Sequence, residues 1–399
     1  MAITQESRPD FTRMNLNVRP FLVILEVTQA CRLACRHCRA AAQPVPDPRQ
    51  FNFEEGRRII DQIAASGDPP PNLVLTGGDP LMRPDLFDLI AYAVSLGLRV
   101  SLTPSATPLV TKEVMRRARD AGLSRWAFSL DGSRAEIHDA FRGVPGSYEL
   151  TIRAIDYLHE LGLPVQLNTT VTRHNRHDLD NLAELVERLG VVLWSLFFLV
   201  PTGRGSIRDV ISPQEHEEVF NWLYDLSQRV RFDIKTTAAP HYRRVVWQRS
   251  AALARKNLAN DRARPEDGGA QLGKGRGRQP DDGISRMPVG INDGNGCVFI
   301  SHVGEVYPSG FLPVSAGNVL ERPFLEIYQQ SPVFRALRNP ERYRGKCGWC
   351  EFRYICGGSR ARAYAVTGDY LESEPFCIYV PDPRRAKEVS VNPFAEHSL

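Results

Sequence analysis

Three cysteines crowded into one short segment constrain this chain more than any other feature of its sequence. Cys31, Cys35 and Cys38 follow one another at C-x3-C-x2-C spacing, directly after a mostly apolar run at residues 21–27. Such a run is typical of a strand buried on both faces of a parallel sheet. Thiolates hold iron–sulfur clusters, and one tight loop can present three of them while a fourth iron stays open. The segment therefore predicts a cluster at the end of a strand.

Two other interpretations of this cysteine loop remain open on its sequence alone. Zinc bound by the three thiols and His37 would give a structural site, and buried free thiols would bind no metal. The chain has eight cysteines, three at 31–38, one at 297 and four at 347–377. Its first residues are polar and lack the apolar core of a secretion signal, so we expect a cytoplasmic protein with reduced thiols or metal-bound cysteines. The grouping predicts two metal sites.

The charge and the apolar runs of the chain bear on its partners. The formal net charge is only +4, which gives no reason to expect a nucleic-acid partner. The longest apolar run, residues 191–201, is far shorter than the roughly 20 residues of a membrane-spanning helix. We therefore expect neither a nucleic-acid nor a membrane partner.

Short apolar segments alternate with amphipathic segments from residue 21 to about 205. This alternation predicts βαβ units and a parallel sheet. Six strands are expected, at 21–27, 73–76, 99–103, 126–130, 165–171 and 194–200. They would form a partial (βα)6 TIM-like barrel, with a doubly wound open sheet as the alternative. The barrel is favoured because the polar motifs mostly follow strand ends, where barrel enzymes place their chemistry.

The amino-acid composition indicates how the whole chain is divided into segments. Residues 256–288 are rich in Gly, Pro, Asp and Arg, which predicts a disordered linker or insertion. The predicted order is a flexible lead at 1–20, the barrel at 21–205, a helical bridging segment at 206–255, this linker, a small cysteine-containing domain at 289–380 and a tail at 381–399.

Glycines and polar residues mark the ends of several predicted strands. They are Gly77, Gly78 and Asp79 after the second strand, Ser129 at the end of the fourth, and Asn168 within the fifth. Adjacent glycines let the backbone approach a ligand closely, although they also form ordinary turns. Asp131 and His138 follow Ser129, and for them helix capping and surface polarity are as good an explanation as a direct role.

Together with the cysteine loop, these motifs resemble the radical S-adenosylmethionine (SAM) superfamily. The resemblance implies that Cys31, Cys35 and Cys38 hold a 4Fe-4S cluster whose open iron chelates the amino and carboxylate groups of SAM. The cluster would then cleave SAM to a 5′-deoxyadenosyl radical. The implied cofactor contacts are Gly77, Gly78 and Asp79 at the amino group, Ser129 near SAM, Arg142 on the carboxylate and Asn168 in the wall of the ribose and adenine site. Asp79 stands where the family has Glu, so a shorter side chain must serve there.

The last cysteines form a second motif. Cys347, Cys350, Cys356 and Cys377 can ligate one cluster fully, and they resemble an auxiliary 4Fe-4S site of SPASM domains. A structural zinc held by the same four thiolates is the alternative. Ser309 and Arg360 stand where a full SPASM domain has further cysteines, so the other auxiliary cluster is expected to be missing. Cys297, inside an apolar strand, is interpreted as a buried free thiol.

One basic segment, residues 235–244, lies between the barrel and the linker. Its His241, Arg243 and Arg244 suit a porphyrin iron and its propionates, or any acidic substrate. A basic helix start at the protein surface is the favoured alternative.

Among radical SAM proteins, the cysteine loop and the single auxiliary site look closest to the haem-biosynthesis branch, which modifies porphyrin side chains. This implies hydrogen abstraction from a small-molecule or peptide substrate, followed by oxidation, and an electron donor such as flavodoxin or ferredoxin. Two alternatives remain: a maturase that crosslinks a ribosomal peptide, and a non-catalytic, zinc-stabilised binding protein.

Overall fold

The computed structural model describes residues 14–262 and 291–382, with side chains described as far as Arg255 in the first range. The predicted lead as far as residue 13, the linker from 263 and the tail from 383 lie outside the described residues. Residues 256–262, predicted as the start of the linker, continue a helix that begins at Tyr242.

Seven parallel strands lie side by side in chain order and form the centre of one sheet. They are β1 (Leu22–Thr28), β2 (Asn72–Gly77), β3 (Val100–Leu102), β4 (Arg125–Ser129), β5 (Val165–Val171), β6 (Leu193–Phe198) and β7 (Asp233–Thr237). The order of strands in a doubly wound sheet reverses at its centre, and this order does not. The prediction of a partial TIM-like barrel is therefore confirmed.

Helices connect these strands and bury their apolar faces against the sheet. They are α1 (Phe53–Ala64), α2 (Leu86–Ser95), α3 (Lys112–Asp120), α4 (Ala135–Arg142), α5 (Ser147–Glu160), α6 (Leu179–Arg188), α7 (Pro213–Ser227) and α8 (Tyr242–Arg262). Two of them begin with a capping box, Asn52 with Glu55 at α1 and Ser212 with Glu215 at α7. Both caps follow from the sequence.

The sheet extends past the predicted six strands on both sides. At one edge β7 pairs with β6 inside the range predicted as a helical bridging segment. The sequence of β7, Asp-Ile-Lys-Thr-Thr, lacks the apolar run of a buried strand, which is why pattern reading misses it. At the other edge, β9 (Gly296–Ile300) pairs in parallel with β1. The C-terminal segment therefore contributes a strand to the barrel sheet.

The remaining C-terminal elements are short. They are β8 (Asn292–Asp293), β10 (Val306–Tyr307), α9 (Phe324–Gln330), α10 (Pro332–Leu337), α11 (Gly345–Trp349) and α12 (Arg360–Thr367). β9 pairs in antiparallel fashion with β10, and the two strands form a hairpin. Within the two described ranges, no helix is both long and apolar enough to cross a bilayer.

Candidate functional site

The cysteine loop follows β1 directly and is folded inward. Cys31 and Cys35 are buried and Cys38 is half-buried, and the three pack in one small cluster. Backbone amides donate to two of the sulfurs, Leu33 N to Cys31 Sγ and Ala42 N to Cys38 Sγ, each at 3.4 Å. The structure thus brings the three predicted thiols together and supplies N–H donors that stabilise thiolate sulfur.

Two polar side chains fix the shape of this loop. Arg204 donates to the carbonyl oxygens of Cys35 and Ala42, both at 2.9 Å. The Oγ of Ser105 lies 3.4 Å from Cys31 Sγ and donates to Gly78 O at 3.1 Å. Sequence reasoning missed both residues. Ser105 stands just after β3, at the strand end where a barrel places its site, and that position was the available signal.

His37, the fourth ligand in the zinc interpretation, stacks on Phe141 with the ring centroids 4.2 Å apart. Burial, with help from Arg142 and Arg204, holds its pKa well below the usual range. Among the described residues, no three His, Cys, Asp or Glu side chains stand close enough to share one metal ion. Each thiolate of a 4Fe-4S cluster binds a different iron, so the ligands of a cluster need not meet that condition.

The glycine pair after β2 is required by packing. A Cβ on Gly77 would lie 2.3 Å from Thr28 O, and one on Gly78 would lie 2.4 Å from Ala30 O. The space that a side chain would fill is occupied by the backbone leading into the cysteine loop. Both glycines also line the cavity described below, so their contact with SAM stays a prediction.

We expect Gly78→Ala to destabilise the protein by about 1–3 kcal/mol, because a backbone carbonyl must move to admit the methyl group. The variant should also retain less iron after reconstitution, since the displaced carbonyl precedes Cys31. Chemical denaturation and iron analysis measure the two effects. Gly162→Asn is the control, because its Cβ position is open and asparagine tolerates its φ of 65°. An unchanged Gly78→Ala protein would contradict this packing role.

Asp79 is held by groups of the protein. Its side chain is wholly buried and accepts hydrogen bonds from Leu81 N at 3.2 Å and Thr107 Oγ1 at 3.0 Å. Burial raises its pKa to about 6. Asp79 caps the turn at Pro80–Met82, and its side chain does not line the cavity. Its contact with the SAM amino group stays a prediction.

The guanidinium of Arg142, at the end of α4, is bound by other groups of the protein. It forms an ion pair with Asp131 and donates to Cys35 Sγ at 3.8 Å. Asp131 is wholly buried and also accepts from Thr170 N at 2.7 Å. The arrangement ties a cysteine of the loop to β4 and β5. The resemblance implied that Arg142 binds the SAM carboxylate, but the structure does not show its guanidinium free to do so.

His138 belongs to the same buried network. Its Nδ1 accepts from Asp131 N at 3.1 Å, and its Nε2 lies 3.0 Å from Ser147 Oγ. Burial and the charge of Arg142 lower its pKa to about 3, so the ring is neutral. The surface-polarity explanation for Asp131 and His138 is wrong, because both side chains are buried.

A cavity of about 1450 Å³ runs through the barrel interior. The cysteine loop lines one end, and Ser129 and Asn168 line its wall, as predicted. Gln166 donates to Asn168 Oδ1 at 2.9 Å and holds that amide in place. The volume exceeds the roughly 300–1,000 Å³ of ordinary small-molecule sites. The cavity therefore has room for a cofactor together with a large substrate.

The four C-terminal cysteines line a second, smaller pocket. Backbone amides again donate to sulfur, Glu374 N to Cys347 Sγ and Gly358 N to Cys356 Sγ, each at 3.4 Å. Burial raises the pKa of Cys350 to about 12, so a metal that binds there must displace protons. Cys377 completes the set predicted from the sequence, and Cys297 lies apart on β9, buried as predicted.

Two buried arginines of α12 hold this C-terminal unit together. The Arg360 guanidinium lies over the Tyr343 ring at 4.5 Å and donates to Glu372 O at 2.6 Å. The position that a further SPASM cysteine would take is therefore filled by a packed side chain. Arg362 pairs with Glu374 at 3.1 Å and donates to three backbone carbonyls, at Phe198, Leu199 and Ala238. Sequence reasoning missed Arg362, whose charge suggested an exposed position.

The basic segment 235–244 is divided between the two sites. Lys235 and Arg243 line the large cavity, whereas His241 and Arg244 line the cysteine pocket. His241 is 1% exposed, so the favoured interpretation as a surface helix start is wrong for it. Its position in the cysteine pocket also separates it from a substrate iron in the barrel.

Comparison with known proteins settles the family. The model of the radical SAM superfamily matches residues 25–186. The AdoMet-dependent heme synthase of Nitratidesulfovibrio vulgaris is 44% identical over 363 residues, which cover 90% of this chain and 92% of that protein. The chain belongs to the radical SAM superfamily. Enzymes of this superfamily use a 4Fe-4S cluster and SAM, which identifies the two cofactors of this radical SAM enzyme.

Two further relatives place the radical SAM enzyme more broadly. Mycofactocin maturase MftC of Mycobacterium tuberculosis is 31% identical over 95% of this chain and 88% of its own. SuiB of Streptococcus suis, solved with bound S-adenosylmethionine, superposes with a TM-score of 0.66 at 15% identity, covering 91% of this chain and 78% of SuiB. The second likeness shows a shared fold.

Proposed function

We propose that this radical SAM enzyme converts propionate side chains of an iron porphyrin to vinyl groups in haem biosynthesis. The observation that carries the proposal is the 44% identity to an AdoMet-dependent heme synthase across nine-tenths of both chains. The size of the cavity supports it, since SAM and a tetrapyrrole must be held together.

Cys31, Cys35 and Cys38 are proposed to hold the 4Fe-4S cluster that opens onto the cavity. The fit rests on their shared burial and on the amide donors at Cys31 and Cys38. When bound, the cluster and SAM supply a 5′-deoxyadenosyl radical that abstracts a hydrogen atom from the substrate. Arg142 orients Cys35, and Arg204 keeps the loop closed around the thiols.

SAM is proposed to lie against the part of the cavity wall that extends from Gly77 and Gly78 to β5. The backbone of Gly77 and Gly78 and the side chains of Ser129 and Asn168 all line that part of the cavity. Hydroxyl and amide groups there can bind polar groups of SAM without adding charge. The buried walls exclude water, which protects a reactive radical from side reactions.

An auxiliary 4Fe-4S cluster is proposed for Cys347, Cys350, Cys356 and Cys377. The fit rests on His241, which lines the pocket with both ring nitrogens buried and without a hydrogen-bond partner among the described residues. An imidazole keeps at least one N–H, so a buried ring without an acceptor requires one. The sulfur of a cluster held in this pocket would provide it. Four thiolates would leave no iron open to substrate.

We expect His241→Phe to lower the reduction potential of the auxiliary cluster, because hydrogen bonds to cluster sulfur raise it. Redox titration followed by electron paramagnetic resonance measures this potential. His159→Gln is the control, since that ring lies at the surface beside Leu189 O. An unchanged potential in His241→Phe would show that the ring does not bond to the cluster.

The chemistry of the side chain fits a hydrogen-abstracting enzyme. Haem b carries vinyl groups at two positions where iron coproporphyrin III carries propionates. A propionate that loses one hydrogen atom, one electron and CO2 becomes a vinyl group. The 5′-deoxyadenosyl radical would take the hydrogen atom, and the proposed auxiliary cluster would accept the electron. An external one-electron donor, such as flavodoxin or ferredoxin, is proposed to reduce the first cluster.

The substrate test compares an iron porphyrin with a peptide. We expect iron coproporphyrin III to stimulate 5′-deoxyadenosine formation by the reduced, reconstituted enzyme above the rate without substrate. Peptide maturation is the second candidate, because of the 31% identity to MftC. Stimulation only by a precursor peptide encoded beside the enzyme would overturn the porphyrin proposal in favour of that candidate.

A further inference from the structure

The end of the cavity away from the cysteine loop is basic. Lys235 on β7, Arg125 at the start of β4 and Arg243 on α8 line it. Cys297, which lines the cavity with Lys235, pairs with Leu22 at the start of β1, whereas the cysteine loop follows the end of β1. The seven residues of β1 make six steps of roughly 3.3 Å, so about 20 Å of strand separates the level of Cys297 from the cysteine loop.

Lys235 has no acidic partner among the described residues. No described residue forms an ion pair or hydrogen bond with its ammonium group, and the side chain is exposed to the cavity that it lines. Desolvation inside the barrel, and then the charges of Arg125 and Arg243, lower the pKa of Lys235. An anion in the cavity would offset the repulsion between these cations.

Arg243 adds a second positive charge to this wall. Its guanidinium donates to the backbone carbonyls of Ile355 and Ile291, at 3.3 Å and 2.5 Å, and it forms no ion pair among the described residues. Asp293, which also lines the cavity, accepts from Ala361 N at 3.0 Å. The carbonyls therefore position the guanidinium but do not neutralise it.

We propose that Lys235 and Arg243 bind a carboxylate of the substrate that does not react, and so position the reacting side chain at the cysteine end. The inference rests on the proposed function, because it needs a substrate with several carboxylates. SAM would not supply this anion, since the proposed SAM site places its carboxylate beside the cysteine loop, at the opposite end. A substrate with carboxylates on opposite sides could place one at each end of the cavity.

Two ligands separate recognition of charge from recognition of shape: iron coproporphyrin III and its tetramethyl ester, which lacks the carboxylate charges. Both are tested for binding to the reconstituted enzyme. Visible absorption gives the Kd of each ligand for the wild type, Lys235→Met and Lys235→Arg. Lys112→Met is the matched control, because Lys112 pairs with Glu160 on the outer helices. We expect Lys235→Met to weaken binding of the tetra-acid roughly 30-fold, with a small effect on the ester. Lys235→Arg should restore most of the affinity, and Lys112→Met should match the wild type.

A positioning role also predicts that Lys235→Met raises KM for the porphyrin more than it lowers kcat. Equal loss of affinity for acid and ester would indicate a distorted cavity and overturn the inference, as would unchanged affinity for the acid. Wild-type protein that binds neither ligand would instead overturn the proposed function, and the carboxylate site with it.

Discussion

Replacing Cys31, Cys35 and Cys38 together by alanine is expected to abolish SAM cleavage and to remove about half of the iron and sulfide of the anaerobically purified enzyme. Two 4Fe-4S clusters correspond to about eight irons per chain, and loss of the loop thiolates should leave about four. The remaining cluster would be the one proposed at the C-terminal cysteines. Iron, acid-labile sulfide and 5′-deoxyadenosine are measured on the same preparation.

Cys297→Ala serves as the control for iron and sulfide content, because this thiol lies apart from both cysteine groups. Retained SAM cleavage in the triple variant would contradict the assignment of the loop. Zinc without sulfide in the wild type would favour structural zinc sites. Complete loss of iron from the triple variant would indicate that the C-terminal cysteines hold no cluster of their own.

Arg362→Met is expected to destabilise the protein by about 3–5 kcal/mol, because it leaves the buried Glu374 carboxylate without its cation. Both side chains of the pair are at most 1% exposed. The substitution also removes the donors to three carbonyls at the ends of β6 and β7, so the C-terminal unit should loosen from the barrel. Urea unfolding followed by circular dichroism measures the change.

Two controls make this result specific. Arg322→Met removes an exposed pair with Glu326 and should cost less than about 1 kcal/mol. Adding Glu374→Leu to Arg362→Met should recover part of the lost stability, because no unpaired charge then remains. A loss in Arg362→Met no larger than that of Arg322→Met would contradict the structural role of the buried pair.

The barrel could be predicted from the sequence because its strands are apolar and its motifs follow their ends. The strand β5 begins and ends at the predicted residues. The edge strand β7 was harder, since Lys235 and its two last threonines line the cavity and break the apolar pattern. A strand that lines a binding site need not look like a core strand.

The cysteine groups could be predicted because their chemistry depends on spacing within short segments. The residues that hold these cysteines in place could not be predicted, since they come from distant parts of the chain. Arg204 lies 169 residues from Cys35, whose carbonyl it binds, and Arg362 contacts the ends of two strands. The hydrogen bonds of Asp79 also could not be predicted, since Thr107 lies 28 residues from it in sequence. Burial of His241 likewise depends on packing that no local pattern records.

The product formed from iron coproporphyrin III is the most direct test of the proposed function. The anaerobic, reconstituted enzyme would be incubated with the porphyrin, SAM and a reductant, and the tetrapyrroles identified by chromatography and mass spectrometry. We expect propionates to be replaced by vinyl groups, with one 5′-deoxyadenosine formed for each side chain converted. Recovery of unchanged porphyrin from reactions in which the enzyme has cleaved SAM would contradict the proposed function.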